Sequence, residues 1–379
     1  MGQTLLDRVD GLTGVITDHL GEMDENRRLS DEVVTAVRDT GLNRSLVPAA
    51  LGGDDRHLLE VLEAIERISA VDGSTGWCSA ISSGSNLFSG YIAPEVAADI
   101  WSDPDQGSAG MFGPFGNVRP NGDGLVLTGR WPFCSNSLHS KWMGVGSFWW
   151  NANDEAEPIP RLVFVPIDEM TIEPTWDAPG LCGTGSHHAS VDSVPVQRER
   201  SLTFIDPAWA DGPLWRLPLF CILAPVLGVT PLGMARGAID DVRAAIEGRV
   251  GGTRGTLAED PVGLADFATA DAALRAARAG LVDACARAWE SAERGDRVPK
   301  PVQAEVMMAV NYGCEVAVDV TATAHRLGGG GAAYAGSSLL RRLRDVETAR
   351  QHIMFGQSHR PLFAKALAGE DLFAPPFII

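Results

Sequence analysis

Apolar positions in the first hundred residues recur at helical spacing. Leu58, Leu59, Leu62, Ile65 and Ile68 share one face, and Glu60, Glu63, Glu66 and Arg67 the other, as in a helix buried along one side. Ser30-Asp31-Glu32 before Val33, Val34 and Val37 reads as a capped helix start. Gly41-Leu42 through Gly52-Gly53 reads as a loop. Past residue 105 the period changes. Asn121-Gly122-Asp123-Gly124, between Val118 and Leu125-Val126-Leu127, predicts a hairpin. Residues 145–150 and 162–165, with Val191, Val194 and Val196, predict further short strands. Beyond about 215 the helical pattern returns, at 265–292, 302–326 and 339–355, with Gly328 to Gly331 as a stop. Segment 217–235 carries no charge but holds Pro218, Pro225 and Pro231. Three prolines argue against a spanning helix and predict a buried segment leading into a core helix.

The order is helical, then β, then helical. It predicts an α+β, mostly α chain with units at 1–105, 106–210 and 211–379. The 379 residues are 45% hydrophobic and 21% charged, as in a packed globular protein. A net charge of −18 disfavours nucleic acid and anionic membranes as partners. Six dispersed cysteines without a CxxC pair, and no basic-then-apolar leader at Met1 to Asp7, predict reduced thiols and a cytoplasmic location. There is no GxGxxG after a strand, no GxxxxGK[ST], no GxSxG and no HExxH. Rossmann, P-loop, serine-hydrolase and zinc chemistry are thereby weak readings, and no metal site is expected.

Four motifs occur in order. They are Val71-Asp72-Gly73-Ser74-Thr75-Gly76-Trp77-Cys78; Gly129-Arg130-Trp131-Pro132-Phe133-Cys134-Ser135-Asn136-Ser137-Leu138-His139; Gly180-Leu181-Cys182-Gly183-Thr184-Gly185-Ser186; and Arg344-Asp345-Val346-Glu347-Thr348-Ala349-Arg350-Gln351-His352. Together they resemble the acyl-CoA dehydrogenase superfamily, and within it the two-component group D flavin-dependent monooxygenases. The resemblance covers roughly the whole chain. It implies an N-terminal helical domain, a middle β-domain and a C-terminal four-helix bundle. It also implies a homotetramer or homodimer with flavin between the β-domain, the bundle and a neighbouring subunit.

The resemblance further implies roles. Phe133, Cys134 and Ser135 lie against the isoalloxazine, with the Ser135 hydroxyl near N5, whose proton in reduced flavin needs an acceptor. His352 faces C4a and the substrate and takes or relays a proton from a phenol, indole or amine. Phe112 and Gly113 pass along the ring. Thr184 and Ser186 touch the ring or ribityl chain. Arg249 and Arg254 reach a neighbour's flavin phosphate, and Gly329 lets the flavin tail approach the backbone. Trp77, Ser85, Asn86 and His139 shape the substrate pocket. Each residue also has a plainer reading: turn hydroxyls, core aromatics, hydrogen-bonded structural histidines, solvated helix-end charges and a glycine helix stop. The apolar end, 373–379, is expected to pack on its own or a neighbouring subunit, or to cover the pocket.

Two departures from relatives matter. The dehydrogenase branch often carries a catalytic Glu before the Arg-Asp pair, whereas this chain has Ala335-Gly336-Ser337-Ser338. Phenol hydroxylases carry a histidine where this chain has Ser85. The implied activity is the oxygenase component of a two-component monooxygenase acting on an indole-type or polycyclic ring, with a phenol in doubt, through a flavin C4a-hydroperoxide. The implied cofactors are reduced FAD or FMN and O2, with NAD(P)H used only by a separate reductase that supplies flavin by diffusion. Three alternatives stay open: an amine or amino-sugar N-oxygenase, an FAD-dependent dehydrogenase or oxidase, and a non-catalytic ligand-binding relative.

Overall fold

The computed structural model describes residues 3–248, 251–252 and 255–370. Arg249, Arg254 and the apolar end at 373–379 lie outside the described residues. The N-terminal region is helical: α1 (Leu5–Asp10), α2 (Thr13–Asn26), α3 (Asp31–Asp39), α4 (Leu58–Val71), α5 (Gly73–Asn86) and α6 (Pro94–Ile100). Ser30 caps α3 by accepting from Val33 N, as its position predicts. The apolar stripe of α4 is buried. Glu66 departs from the pattern. It is buried, because α9 packs beside α4 and both Glu66 carboxylate oxygens take Arg278 Nε, at 2.8 and 2.7 Å.

The strands follow: β1 (Ala109–Asn121), β2 (Gly124–Trp131), β3 (Trp142–Trp149), β4 (Arg161–Pro166), β5 (Thr171–Glu173), β6 (His188–Val196) and β7 (Ser201–Leu202). They form one sheet in the order β5-β6-β2-β1-β3-β4-β7, in which β1 pairs parallel with β3. The predicted hairpin joins β1 to β2, pairing Val118 with Leu127. Val118, Leu127, Trp131, Met143, Val145, Val163 and Val165 fill the core under this sheet. Trp131 lies across the β1–β2 pair. A Cβ on Gly116 or Gly129 would come within 2.3 or 2.6 Å of its ring, so both glycines make room for it. Its Nε1 donates to Gly146 O at 2.8 Å. This anchor fixes where the chain leaves β2 for the 133–139 segment.

The C-terminal region holds α7 (Pro213–Arg216), α8 (Phe220–Glu247), a two-stranded ribbon of β8 (Gly251–Gly252) and β9 (Gly255–Thr256), α9 (Pro261–Glu293), α10 (Lys300–Leu327), α11 (Ser338–Ala349) and α12 (Arg360–Leu367). α8, α9, α10 and α11 pack as a bundle, with α4 and α5 against α8. Pro225 and Pro231 both lie inside α8 rather than ahead of it. Pro231 cannot donate to Leu227 O, but the Thr230 hydroxyl does so at 2.8 Å, and the helix continues. α8 is long and apolar enough to cross a bilayer, yet 94% of its apolar window is buried inside the molecule, which makes it a core helix. The helix expected over 339–355 stops at Ala349. A separate 3-10 turn, Ile353–Phe355, follows.

Candidate active site

α5 brings the first motif to the seam between sheet and bundle. Asp72 caps it: Oδ2 accepts from both the N–H and the hydroxyl of Thr75, each at 2.8 Å. One helical turn on, Trp77 is buried with its Nε1 donating to Ser135 Oγ at 3.2 Å. The same indole meets the His352 ring nearly perpendicular, with centroids 5.6 Å apart. One side chain thus joins the two residues expected to be catalytic.

The 133–139 segment bends sharply. Phe133 and Asn136 both have positive φ, 59° and 64°, an unusual state for residues other than glycine. Contacts to the third motif hold it: Cys134 N donates to His187 O at 2.8 Å and Asn136 N to Thr184 O at 3.1 Å. The bend leaves Phe133 60% exposed, its ring edge-on to Trp176 and His188. Cys134 points the other way. Its thiol is buried in the sheet core against Trp131 O and is pushed up to about 12 by that burial, so it offers a ligand only its backbone.

Thr184 and Ser186 are both buried and their hydroxyls are engaged. Ser135 Oγ lies 2.6 Å from Ser186 Oγ, which lies 2.7 Å from Thr184 Oγ1, which donates to Leu181 O at 2.8 Å. The ring or ribityl contacts expected of Thr184 and Ser186 have no free hydroxyl hydrogen to use.

Leu181, at φ 51°, is held in turn by its N–H donating to Asp345 Oδ1 at 2.6 Å. The glycine before it is required: a Cβ on Gly180 would lie 2.0 Å from Arg344 O. Asp345 belongs to a buried charge cluster. Arg341 donates to Asp24 and, at 2.8 Å, to Asp72 Oδ1, and its Nε lies 4.0 Å from Asp345 Oδ2. In the sequence Asp72 and Asp345 stand within motifs that suggest no role for them, and Arg341 lies outside all four. The available signal was the i,i+4 spacing of Arg341 and Asp345.

Burial first, and then the neighbouring Asp72 charge, raise the Asp345 pKa to about 7. The unfolded carboxyl titrates near its ordinary value of 3.8. Between those values the folded chain holds a proton that the unfolded chain has lost, so this group's contribution weakens as pH rises through the window. Asp345→Asn keeps an acceptor for Leu181 N–H and removes the charge. Its unfolding free energy relative to wild type is expected to grow from pH 4 to pH 7 and level off above. A flat difference across denaturant melts would contradict this.

His352 lies beyond the end of α11 on extended backbone, not within a helix. Its Nδ1 accepts from Met354 N at 3.3 Å. The hydrogen of the neutral ring therefore sits on Nε2. Desolvation pulls its pKa down to about 4. The near-neutral proton acceptor that the sequence suggests is instead a neutral ring with an N–H to donate.

The other expected residues divide. Ser85 is buried and its hydroxyl has no partner among the described residues. Asn86 does not face a ligand: Nδ2 donates to Asn43 O and Gln106 O, and Oδ1 accepts from Trp101 Nε1 and Ser108 Oγ. Its amide is saturated. His139 Nε2 accepts from Leu29 N at 3.1 Å, and burial, aided by Arg28, pulls its pKa down to about 4. That makes it a tie between the N-terminal helices and the 133–139 segment. Phe112 packs between Phe88 and Phe204, with centroids at 5.3 and 5.6 Å. Gly113 sits in the irregular stretch of β1 between Met111 and Gly116. Gly329 has φ 57° and open space around it, so its backbone conformation, not crowding, calls for glycine.

The buried Ser135 hydroxyl with its unused acceptor capacity and the His352 imidazole N–H, joined through Trp77, with the exposed Phe133 two residues before Ser135, form a donor and acceptor set that suits a flat heteroaromatic ring carrying N–H groups. The acyl-CoA dehydrogenase C-terminal domain family matches residues 226–357. Indole-3-acetate monooxygenase of Pseudomonas putida is 34% identical over 89% of this chain and 86% of its own. The oxygenase component of the FADH2-dependent resorcinol hydroxylase of a Rhizobium species is 29% identical over 74% of this chain and 70% of its own. The crystal structure of 3-HSA hydroxylase from Rhodococcus sp. RHA1 superposes with a TM-score of 0.93 at 22% identity, covering 99% of both chains.

Proposed function

Because this chain belongs to the flavin-dependent monooxygenases built on the acyl-CoA dehydrogenase fold, we propose that it hydroxylates an indole-type or related aromatic ring at the seam formed by Trp77, Ser135 and His352. It is an oxygenase component, and its reduced flavin comes from a separate reductase. The observation that carries the site is the shared Trp77 contact: a hydrogen bond to Ser135 on one side and a ring edge against His352 on the other.

When bound, reduced flavin supplies the electrons that activate O2 and so makes oxygen transfer to the ring possible. The protein's part is to hold and shield. Phe133 offers an apolar face to a flat ring. Ser135 Oγ, with one lone pair left over, would accept a hydrogen bond from the N–H of reduced flavin. Trp77 closes the space between Ser135 and His352 against water. His352 Nε2–H donates toward an oxygen or a ring nitrogen. The unpartnered Ser85 hydroxyl supports recognition of a substrate N–H or O–H.

A dehydrogenase working through a carboxylate base is disfavoured. Gly336 has no side chain, and the buried Asp72 and Asp345 are taken up by Thr75, Arg341 and Leu181. Assembly as a homotetramer or homodimer is part of the proposal. It is supported by Tyr312, Tyr334 and Ile353, large apolar side chains left exposed on the C-terminal region.

The test mixes protein with reduced FAD or FMN, then with oxygen carrying heavy isotope, in the presence of indole-3-acetate or resorcinol. A near-ultraviolet absorbance that precedes oxidised flavin, with heavy oxygen in an aromatic product, is expected. Immediate reoxidation with full release of peroxide, and no labelled product from any aromatic tried, would overturn the reading.

A further inference from the structure

The hydroxyls around Ser135 form a line whose direction is fixed by counting hydrogens. Its links are Trp77 Nε1 to Ser135 Oγ (3.2 Å), Ser135 Oγ to Ser186 Oγ (2.6 Å), Ser186 Oγ to Thr184 Oγ1 (2.7 Å) and Thr184 Oγ1 to Leu181 O (2.8 Å). The indole end can only donate and the carbonyl end can only accept. Each hydroxyl between them owns one hydrogen. Every link is filled only if each group donates toward Leu181. The reverse order would set Thr184 Oγ1 and Leu181 O 2.8 Å apart with no hydrogen between them. Leu181 O also receives Trp176 Nε1 at 3.0 Å and Thr184 N at 3.1 Å; the hydroxyl contact is the shortest of the three.

Ser135 therefore spends its hydrogen on Ser186 and keeps one lone pair for whatever faces it. We propose that this relay makes Ser135 an acceptor only, and so sets the site's preference for reduced over oxidised flavin. The inference rests on the flavin reading above. Reduced flavin carries a hydrogen on N5 that Ser135 can accept. Oxidised flavin presents a lone pair there, and two acceptors would face each other in a buried place. Ser186 and Thr184 are positioning residues. They act through Ser135, which explains why two buried hydroxyls so near the site are turned inward.

The relay can be released without touching Ser135. Ser186→Ala removes the acceptor of the Ser135 hydrogen, which is then free to point outward. Thr184→Val keeps the shape, removes the acceptor of the Ser186 hydrogen, and lets Ser186 donate to Ser135 instead. Dissociation constants for oxidised FAD, and anaerobically for reduced FAD, give the ratio that matters. Both variants are expected to lower the ratio of oxidised to reduced constants about tenfold, from the size of one unmade buried hydrogen bond. The midpoint potential of bound flavin should fall by about 30 mV in step. Ser135→Ala should lower the ratio by weakening reduced flavin alone. Circular dichroism and melting curves identify any variant that fails to fold, and Ser186→Cys, which keeps the side-chain shape with a weak acceptor, then replaces Ser186→Ala. Wild type that binds both states with a ratio unmoved by Ser186→Ala and Thr184→Val overturns the relay and leaves the flavin reading intact. Wild type that binds neither state overturns both.

Discussion

Arg341→Met is expected to cost the fold about 3–5 kcal/mol near neutral pH, the usual penalty for leaving buried charges without their partner. The arginine side chain is only 14% exposed and faces Asp24, Asp72 and Asp345 from three elements. Burial works against its charge, but the three carboxylates outweigh that and hold the guanidinium above its ordinary range. Without it, the buried Asp72 and Asp345 and the partly exposed Asp24 face one another. Burial already holds the Asp24 and Asp345 carboxyls above their ordinary values, and without the guanidinium they take protons more readily still, so the deficit should shrink as pH falls toward 5 and widen toward 8. Urea melts at both pH values measure it. A deficit below about 1 kcal/mol, the worth of an exposed pair, and equal at both pH values, would mean the cluster behaves as a surface ion pair.

The consequence extends beyond stability. Asp72 starts α5 and so orients Trp77. Asp345 holds Leu181, whose carbonyl ends the hydroxyl relay. Arg341 thus ties the two supports of the site together. Loss of Arg341 should weaken flavin binding even where the chain still folds.

The parts of this architecture that were legible in the sequence are those fixed by local periodicity. The α4 stripe, the Ser30 cap, the Asn121-Gly122 hairpin and the glycine stop after α10 all lie where residues close in sequence dictate them. The failures have a common cause, which is that distant contacts override the local signal. Ile353, Met354 and Phe355 continue an apolar rhythm past α11, yet the chain leaves the helix at Arg350 and His352 caps a new turn. Prolines in α8 suggested a break, and the Thr230 hydroxyl repairs one. Glu66 read as solvent-facing until α9 supplied Arg278. The site followed the same rule. A motif resemblance singles out Ser135 and His352 as candidates, but it does not give their hydrogen-bonding states. The direction of the Ser135 hydroxyl depends on Ser186, Thr184 and Leu181. The His352 tautomer depends on a backbone N–H two residues on. Asn86, also expected at the pocket, is consumed by Asn43, Trp101, Gln106 and Ser108, none of which its neighbours in sequence reveal.

His352→Ala is expected to lower the turnover of the reconstituted oxygenase by about 10²–10³-fold, the cost of removing one aimed hydrogen-bond donor from a water-poor site. The geometry specifies more than a loss. With Nδ1 accepting from Met354 and a pKa of about 4, the ring is neutral across the working range and presents Nε2–H. His352→Gln, which retains an N–H donor, should recover part of the rate, and His352→Leu none. The wild-type pH profile should show no inflection near 6.5 from this residue. Its rate should change only below about pH 5, where Nδ1 gains a proton, can no longer accept from Met354 N–H, and the ring loses the bond that aims Nε2–H. Stability carries the matching sign: the unfolded imidazole takes its proton near 6.5 and the folded one near 4, so this residue's contribution is complete above pH 6.5 and declines as pH falls toward 4. A base would behave otherwise. Glutamine would rescue nothing, and the profile would carry an inflection that disappears in His352→Ala. The two profiles, measured with the same aromatic substrate and reductase, decide whether the imidazole gives a hydrogen bond or takes a proton.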